Sequence, residues 1–143
     1  MDSCANAAKN GHLNALAYLR QCGCPWDWKT TAFAAENGHL DILKYALNNN
    51  CEMDKRRMQR YAAASGSLSM ITFLLANNCP LNSQMYDYAA EKGNTELMEW
   101  LSNRRVHINS SAITAAAAYG QLEALKWLRQ HHVQYSSLFM MRL

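Results

Sequence analysis

The sequence predicts an all-α fold, a helical-repeat solenoid of stacked helix-turn-helix units, and three regularities predict it. Five of the six glycines recur at spacings of 27, 28, 27 and 27 residues: Gly11, Gly38, Gly66, Gly93 and Gly120. An alanine pair stands four and three residues before each of them, and an aromatic residue stands seven residues after each. Recurrence at a fixed period is typical of repeat proteins, in which each unit buries its apolar face against its neighbours.

Each repeat divides into two helices. Apolar residues recur two, five and eight positions after the glycine, and with the aromatic residue at position seven they predict one stripe along a second helix. The alanine pair falls in a shorter first helix, where small side chains let a neighbouring helix approach closely. The glycine is predicted to adopt a left-handed conformation that ends this first helix. Gly23, Asn50 and Asn78 stand twelve residues after the first three glycines and are predicted to end the second helices in the same way.

The residues after each second helix are predicted to form the seam between repeats. One phase of this segment is small and apolar, and it holds Cys24, Cys51, Cys79, Val106 and Val133. Three residues later, side-chain oxygens are predicted to serve as caps or turn acceptors, at Asp27, Asp54, Asn82, Asn109 and Ser136. The sequence therefore predicts one domain over residues 1–143, with repeats at 1–27, 28–54, 55–82, 83–109 and 110–136 and an incomplete sixth at 137–143.

The cysteines are predicted to be free thiols. Cys24, Cys51 and Cys79 lie one repeat apart, and packed helices lie about 8–10 Å apart. A disulfide needs its two Cα atoms within about 7 Å. We therefore expect an intracellular, reducing compartment, namely the cytoplasm, the nucleus or an organelle matrix.

Composition excludes few classes of protein. The net charge of +3 is mild and neither requires nor excludes an acidic partner. The sequence has no run of eighteen apolar residues, so no membrane span is expected. The first residues, Met1 to Cys4, lack the basic and then apolar pattern of a secretory signal.

The repeat resembles the second half of the ankyrin consensus. The segment Ala34–Leu40 reads Ala-Ala-Glu-Asn-Gly-His-Leu, and Ala7–Leu13 repeats it with one change. Two features depart from the ankyrin pattern: the Thr-Pro-Leu-His opening is absent, and the period is shorter than the usual length of about 33 residues. The resemblance implies a protein–protein interaction or scaffolding module with a protein partner. The two departures imply that the projecting β-hairpin fingers of ankyrins are lost. Recognition is then expected to rely on the first helices and the short turns.

The predicted contact face is the first-helix side of each repeat. In ankyrin-like stacks the two residues before each glycine point toward the concave groove, and in this chain these residues vary while the core positions do not. Trp28 adds an aromatic side chain at a phase that is polar in the other repeats, where it either contacts a partner or covers the edge of the stack. The predicted partner-binding residues are Lys9, Asn10, Trp28, Lys29, Glu36, Asn37, Glu91, Lys92 and Tyr119.

A basic run gives a second hypothesis. Lys55, Arg56, Arg57 and Arg60 fall at the one place where a repeat carries an extra residue, which is interpreted as a turn. A nucleic-acid or phosphate contact is one interpretation. A solvated loop at a helix start is the favoured one, because the run is short and lacks interleaved exposed aromatic residues.

No catalytic or metal site is predicted. Cys22 and Cys24 lie four repeats from His131 and His132, too far for a closed tetrahedral site. No residues cluster as a nucleophile with its base. The chain is therefore expected not to be an enzyme, and no cofactor, metal or small-molecule substrate is expected.

The apolar segment at residues 137–143 resembles the first helix of a sixth repeat. It suits a chain that is a piece of a longer stack, or one whose ends are covered by partner subunits. The alternative to an interaction or scaffolding module is therefore a structural subunit of a large assembly, such as a ribonucleoprotein, held by its apolar ends and its basic run.

Overall fold

The computed structural model describes residues 2–131, and this part of the chain is built from α-helices without a β-strand. The helices are α1 (Ser3–Lys9), α2 (Leu13–Gln21), α3 (Trp28–Glu36), α4 (Leu40–Asn48), α5 (Lys55–Ser65), α6 (Leu68–Ala76), α7 (Gln84–Lys92), α8 (Thr95–Asn103), α9 (Ser111–Ala118) and α10 (Leu122–His131). Odd-numbered helices are the predicted first helices and even-numbered ones the second helices. The predicted all-α, helical-repeat fold class is confirmed.

The chain divides into two compact units, with the boundary between Pro80 and Leu81. In the first unit, α1 packs on α3 and α3 on α5, and each of these helices also packs on its own second helix. In the second unit, α7 packs on both α8 and α9, and α10 packs on both α8 and α9. A single domain over residues 1–143 stays a prediction, and the segment 137–143 lies outside the described residues.

The predicted left-handed turns are confirmed. All five in-register glycines have φ values between 66° and 75°. Gly23, Asn50 and Asn78 have φ values of 81°, 63° and 68° after the second helices. Arg105 occupies the same phase with φ 62°, although its type gave no such signal. The position of Arg105 in the repeat therefore determines its left-handed backbone conformation, and the conformational preference of arginine does not.

The buried stripe of the second helices is displaced from the predicted one. In the three middle repeats, positions four, five and eight after the glycine are buried, as Ile42, Leu43 and Ala46 show. Position two is not buried, and Leu122 there is 59% exposed. Position seven varies: Tyr18 is 65% exposed, whereas Trp127 is buried. At about 100° per residue, positions two and seven lie on either edge of the stripe that positions four, five and eight define. The prediction was therefore wrong for position two, and at position seven it holds for Trp127 but not for Tyr18.

A second repeating contact fixes the first helices. The residue seven positions before each of the first four glycines donates a hydrogen bond to a backbone carbonyl 20 or 21 residues later in the chain. The four pairs are Cys4 to Cys24 at 3.8 Å, Thr31 to Glu52 at 2.9 Å, Gln59 to Cys79 at 3.2 Å and Tyr86 to Val106 at 2.8 Å. Each accepting carbonyl lies in the loop after the second helix of the same repeat. This inter-helix tether ties the first helix to the seam, with a different side chain each time.

The predicted caps hold in the first unit. Asp27 accepts from the Lys29 backbone N–H at 2.9 Å, and Asp54 accepts from that of Arg56 at 3.2 Å. At Asn82 the prediction is wrong, because its buried Oδ1 has no hydrogen-bond partner. The next residue, Ser83, already has right-handed helical dihedrals, and the Asn82 backbone carbonyl accepts from Met85 instead.

All five cysteines are free, as predicted. Cys4, Cys51 and Cys79 are buried, and Cys22 is exposed. Burial raises the pKa of the Cys4 and Cys51 thiols to about 11 and also raises the pKa of Cys79. These three thiols are therefore protonated and shielded at neutral pH.

We expect Cys22 to be alkylated first in the folded protein at pH 8, and Cys4, Cys51 and Cys79 last, because the thiolate is the nucleophile. Timed iodoacetamide labelling followed by peptide mass spectrometry measures this order. Since the folded pKa of Cys4 and Cys51 exceeds the ordinary value of 9.0, the unfolded chain loses these protons first. Stability is then fully present below pH 9 and falls as the pH rises toward 11. Equal labelling rates for all five thiols would contradict the burial of Cys4, Cys51 and Cys79.

Candidate functional site

The outward side of the first helices forms a continuous surface within each unit. Positions nine, five and two before the glycine share this side, because they are three or four residues apart on a helix. All of these positions are exposed or half-buried. We call this surface the first-helix face: in the first unit it holds Asp2, Asn6, Lys9, Lys29, Phe33, Glu36, Arg57, Tyr61 and Ala64, and in the second Gln84, Tyr88, Glu91, Ser111, Ala115 and Ala118.

Side-chain contacts join neighbouring first helices across this face. The Lys29 ammonium lies 3.4 Å from Asp2, and that of Lys9 lies 5.8 Å from the centre of the Phe33 ring. In the second unit, the Ser111 hydroxyl donates to Asp87 at 2.7 Å. Exposed ion pairs of this kind contribute only about 0–1 kcal/mol, so they position side chains more than they stabilise the fold.

The predicted partner-binding residues lie on the surface. Lys9, Asn10, Trp28, Glu36, Asn37, Lys92 and Tyr119 are exposed, and Lys29 and Glu91 are half-buried. Two of them have a structural role, because the side-chain amides of Asn10 and Asn37 donate to carbonyls one turn earlier, at 2.9 Å each. Those two asparagines close their helices, and fewer of their hydrogen-bonding groups are left for a partner.

Sequence reasoning missed the aromatic residues of the first-helix face. Phe33, Tyr61 and Tyr88 each stand five residues before an in-register glycine, and each is half-buried. In the first unit, Phe33 and Tyr61 occupy equivalent positions on α3 and α5, which pack against each other. The sequence does indicate these residues, because an aromatic residue stands five positions before the glycine in three of the five repeats.

The two neighbouring tryptophans, Trp26 and Trp28, differ in exposure. Trp26 is half-buried in the seam, where its ring lies 6.1 Å from that of Tyr45 and 4.3 Å from the Arg20 guanidinium carbon. Trp28 is the first residue of α3 and is 40% exposed. Of these two tryptophans, Trp28 therefore has the indole ring that is more accessible to a partner.

The basic run was wrongly interpreted as a turn. Lys55, Arg56, Arg57 and Arg60 all lie in α5, which has 11 residues whereas α3 has nine, so the extra residue lengthens the helix. Lys55, Arg56 and Arg57 are exposed in its first turn, and Arg57 pairs with Asp54 at 3.5 Å. Positive charge at a helix N-terminus is opposed by the helix dipole. This cluster therefore carries a small energetic cost that Asp54 only partly offsets.

Among residues 2–131, no three His, Cys, Asp or Glu side chains come together as they would around a metal ion. None of the helices in the same range is long and apolar enough to cross a membrane.

Short helix pairs, left-handed turns and a variable first-helix face within each unit define a helical-repeat protein. A family model described as ankyrin repeats (3 copies) matches residues 5–85, and one described as ankyrin repeats (many copies) matches residues 86–129. The chain belongs to the ankyrin repeat family. Ankyrin repeats are generally protein–protein interaction modules and are typically not catalytic. No curated protein matches the chain in sequence.

Proposed function

We propose that this chain is a non-catalytic scaffolding module that binds a protein partner through its first-helix face. The observation that carries the proposal is the pair Phe33 and Tyr61, two half-buried aromatic rings on adjacent helices with charged side chains around them. Partly exposed aromatic residues with a polar rim are the usual composition of binding hot spots. The free thiols suit a reducing intracellular compartment, which is where we place the protein.

The exposed aromatic residues beside the first-helix face are expected to dominate partner binding. We expect Trp28→Ala and Tyr119→Ala each to weaken partner capture about 10-fold or more, as truncated hot-spot residues do. Tyr18→Ala is the control, because Tyr18 is at least as exposed as Tyr119 and Trp28 but lies on a second helix. Quantitative pull-down with each variant, together with its thermal unfolding midpoint, measures both effects.

All three variants should retain the wild-type unfolding midpoint, since exposed substitutions usually change stability by less than about 0.5 kcal/mol. An equal loss of capture with Tyr18→Ala would contradict the assignment to the first-helix face. A large loss of stability with Trp28→Ala would show that this ring is a core residue.

A second candidate function is a structural subunit of a large assembly, such as a ribonucleoprotein. It is favoured by the three exposed cations in the first turn of α5, which the helix dipole disfavours. Stoichiometric co-purification with a stable complex would favour this candidate, whereas several substoichiometric partners would favour the scaffolding module.

If α5 contacts RNA, its affinity must depend on salt. We expect log K for a single-stranded RNA to fall linearly with log salt, and Lys55→Gln with Arg56→Gln to reduce that slope by about 1.4. Lys44→Gln with Lys126→Gln removes the same charge from second helices and should leave the slope unchanged. Filter binding across a salt series provides the measurement, and a flat response would dismiss RNA as the partner.

A further inference from the structure

The first repeat places two cysteines side by side. Cys4 lies in α1 at the inter-helix tether position, seven residues before Gly11, and Cys24 lies in the loop after α2. The Cys4 thiol donates to the Cys24 carbonyl oxygen at 3.8 Å, and a side-chain hydrogen bond joins it to the Cys24 thiol as well. The two sulfur atoms are therefore neighbours in the folded chain, although the residues are 20 positions apart in the sequence.

The other repeats do not pair two thiols at these positions. The second repeat has Thr31 and Cys51 there, and the third has Gln59 and Cys79. A hydroxyl or an amide cannot form a disulfide with the cysteine opposite it. The chemistry available to the first repeat is therefore different from that of the repeats that follow.

The tether of the first repeat is also the weakest of the four. A thiol is a weak hydrogen-bond donor, and its contact at 3.8 Å is longer than the other three, which measure between 2.8 and 3.2 Å. A covalent bond between the same two residues would replace this weak tether with a strong one.

A guanidinium group lies beside the cysteine pair. Arg20 donates to the same Cys24 carbonyl oxygen. Burial raises the pKa of Cys4 to about 11, with a further contribution from the Cys24 thiol, whereas the charge of Arg20 acts in the opposite direction and favours the thiolate. Cys4 is buried and Cys24 is half-buried, so Cys24 is the sulfur of this pair that is accessible to an oxidant in solution.

We propose that Cys4 and Cys24 form a reversible disulfide when a hydroperoxide oxidises the protein. With hydrogen peroxide, one peroxide oxygen bonds to the Cys24 sulfur as the O–O bond breaks, and the departing hydroxyl takes the thiol proton to form water. The Cys4 sulfur then bonds to the sulfenic sulfur of Cys24 as the S–O bond breaks, and the leaving hydroxyl takes the Cys4 proton to form a second water. Two thiols are thereby oxidised to one disulfide, and one peroxide is reduced to two waters.

The disulfide would lock α1 to the loop that follows α2. Because α1 carries Asn6 and Lys9, oxidation would stabilise this part of the first-helix face. In a reducing compartment the two thiols are the resting form, and cellular thiols restore it after oxidation. This regulation acts on the fold itself and does not depend on the proposed function.

Peptide mapping of the full chain tests the linkage. The protein is treated with hydrogen peroxide at neutral pH, its remaining thiols are alkylated, and trypsin then releases Cys4 in residues 1–9 and Cys24 in residues 21–29. We expect these two peptides to be joined, the number of alkylated thiols to fall from five to three, and dithiothreitol to reverse both changes. Cys51→Ser, at the equivalent position of the second repeat, is the matched control and should form the same linkage.

Three serine variants identify the sulfur atoms that react. Cys22→Ser should keep the linkage, because Cys22 shares the tryptic peptide of Cys24 but is not part of the pair. Cys24→Ser should abolish the linkage. Cys4→Ser keeps a donor for the tether and should leave a sulfenic acid on Cys24 that dimedone traps.

Thermal unfolding measures the effect of the disulfide on the fold. We expect oxidised wild-type protein to have a Tm about 4 °C or more above that of equally treated Cys24→Ser, a comparison that corrects for methionine oxidation. The absence of the linkage in wild-type protein, its loss in Cys22→Ser, a bridge between Cys22 and Cys24, or a disulfide between two chains would each overturn the proposal.

Discussion

Replacing Tyr86 with alanine is expected to destabilise the second unit by about 3–5 kcal/mol, the range for truncating a large aromatic residue in a core. Tyr86 is fully buried, and its ring lies 6.4 Å from that of Trp127. Its hydroxyl donates to the Val106 carbonyl at 2.8 Å, which is one of the four inter-helix tethers. Burial also raises the pKa of this phenol, so it stays protonated as a donor.

A second variant at this position separates packing from hydrogen bonding, and a variant at an exposed tyrosine serves as the control. Tyr86→Phe keeps the ring and leaves the Val106 carbonyl unpaired, so it should cost about 1–3 kcal/mol. Tyr119→Ala removes a ring of the same type that is 60% exposed and should cost less than about 0.5 kcal/mol. Urea denaturation measures all three. If Tyr86→Ala cost no more than Tyr119→Ala, Tyr86 would not belong to the core of the second unit.

Replacing Gln59 with alanine is expected to destabilise the first unit by about 3 kcal/mol. The Gln59 side chain is fully buried, and its amide nitrogen donates to the carbonyls of Ile71 at 3.1 Å and Cys79 at 3.2 Å. Alanine would leave the Cys79 carbonyl without this donor, at about 1–3 kcal/mol if water cannot reach it, whereas the Ile71 carbonyl keeps its helical hydrogen bond within α6. Alanine would also open a cavity beside α6 and the loop that follows it.

The charge and the shape of the side chain at Gln59 can be varied separately. Gln59→Met keeps the volume and removes both donors, so its cost should be smaller than that of alanine. Gln59→Glu introduces a buried acceptor facing two carbonyls, and its pKa must rise because the charged form is desolvated. That variant should therefore be least stable at neutral pH and should regain stability as the pH falls. Thr72→Ala, on the exposed surface of α6, is the control. An equal loss of stability in that variant would contradict the tether from Gln59 to Cys79.

The inter-helix tethers explain how unlike side chains serve one structural purpose. A thiol, a hydroxyl, an amide and a phenol reach the same loop in four successive repeats. These side chains differ in length and in chemistry, yet each bonds a carbonyl of the loop that follows the second helix of its own repeat.

Much of the candidate site could be predicted from position in the repeat. The exposure of Lys9, Glu36 and Tyr119 follows from their phase just before the glycine, and the structure places them on the surface. The role of Asn37 could not be read in the same way, because its side-chain amide closes its own helix. Phe33 was overlooked because an aromatic residue in a helix is usually assigned to the core.

The sequence by itself determined the repeat length, the all-α class and the left-handed turns. Those features follow from local physics: glycine and asparagine accept positive φ, and apolar spacing sets which side of a helix is buried. Tertiary structure alone decided that α5 absorbs the extra residue, that Tyr86 and Gln59 reach carbonyls 20 residues away, and that Thr30 has no partner where Thr31 has two. Such outcomes depend on the distance between packed helices, and no local pattern of residues encodes that distance.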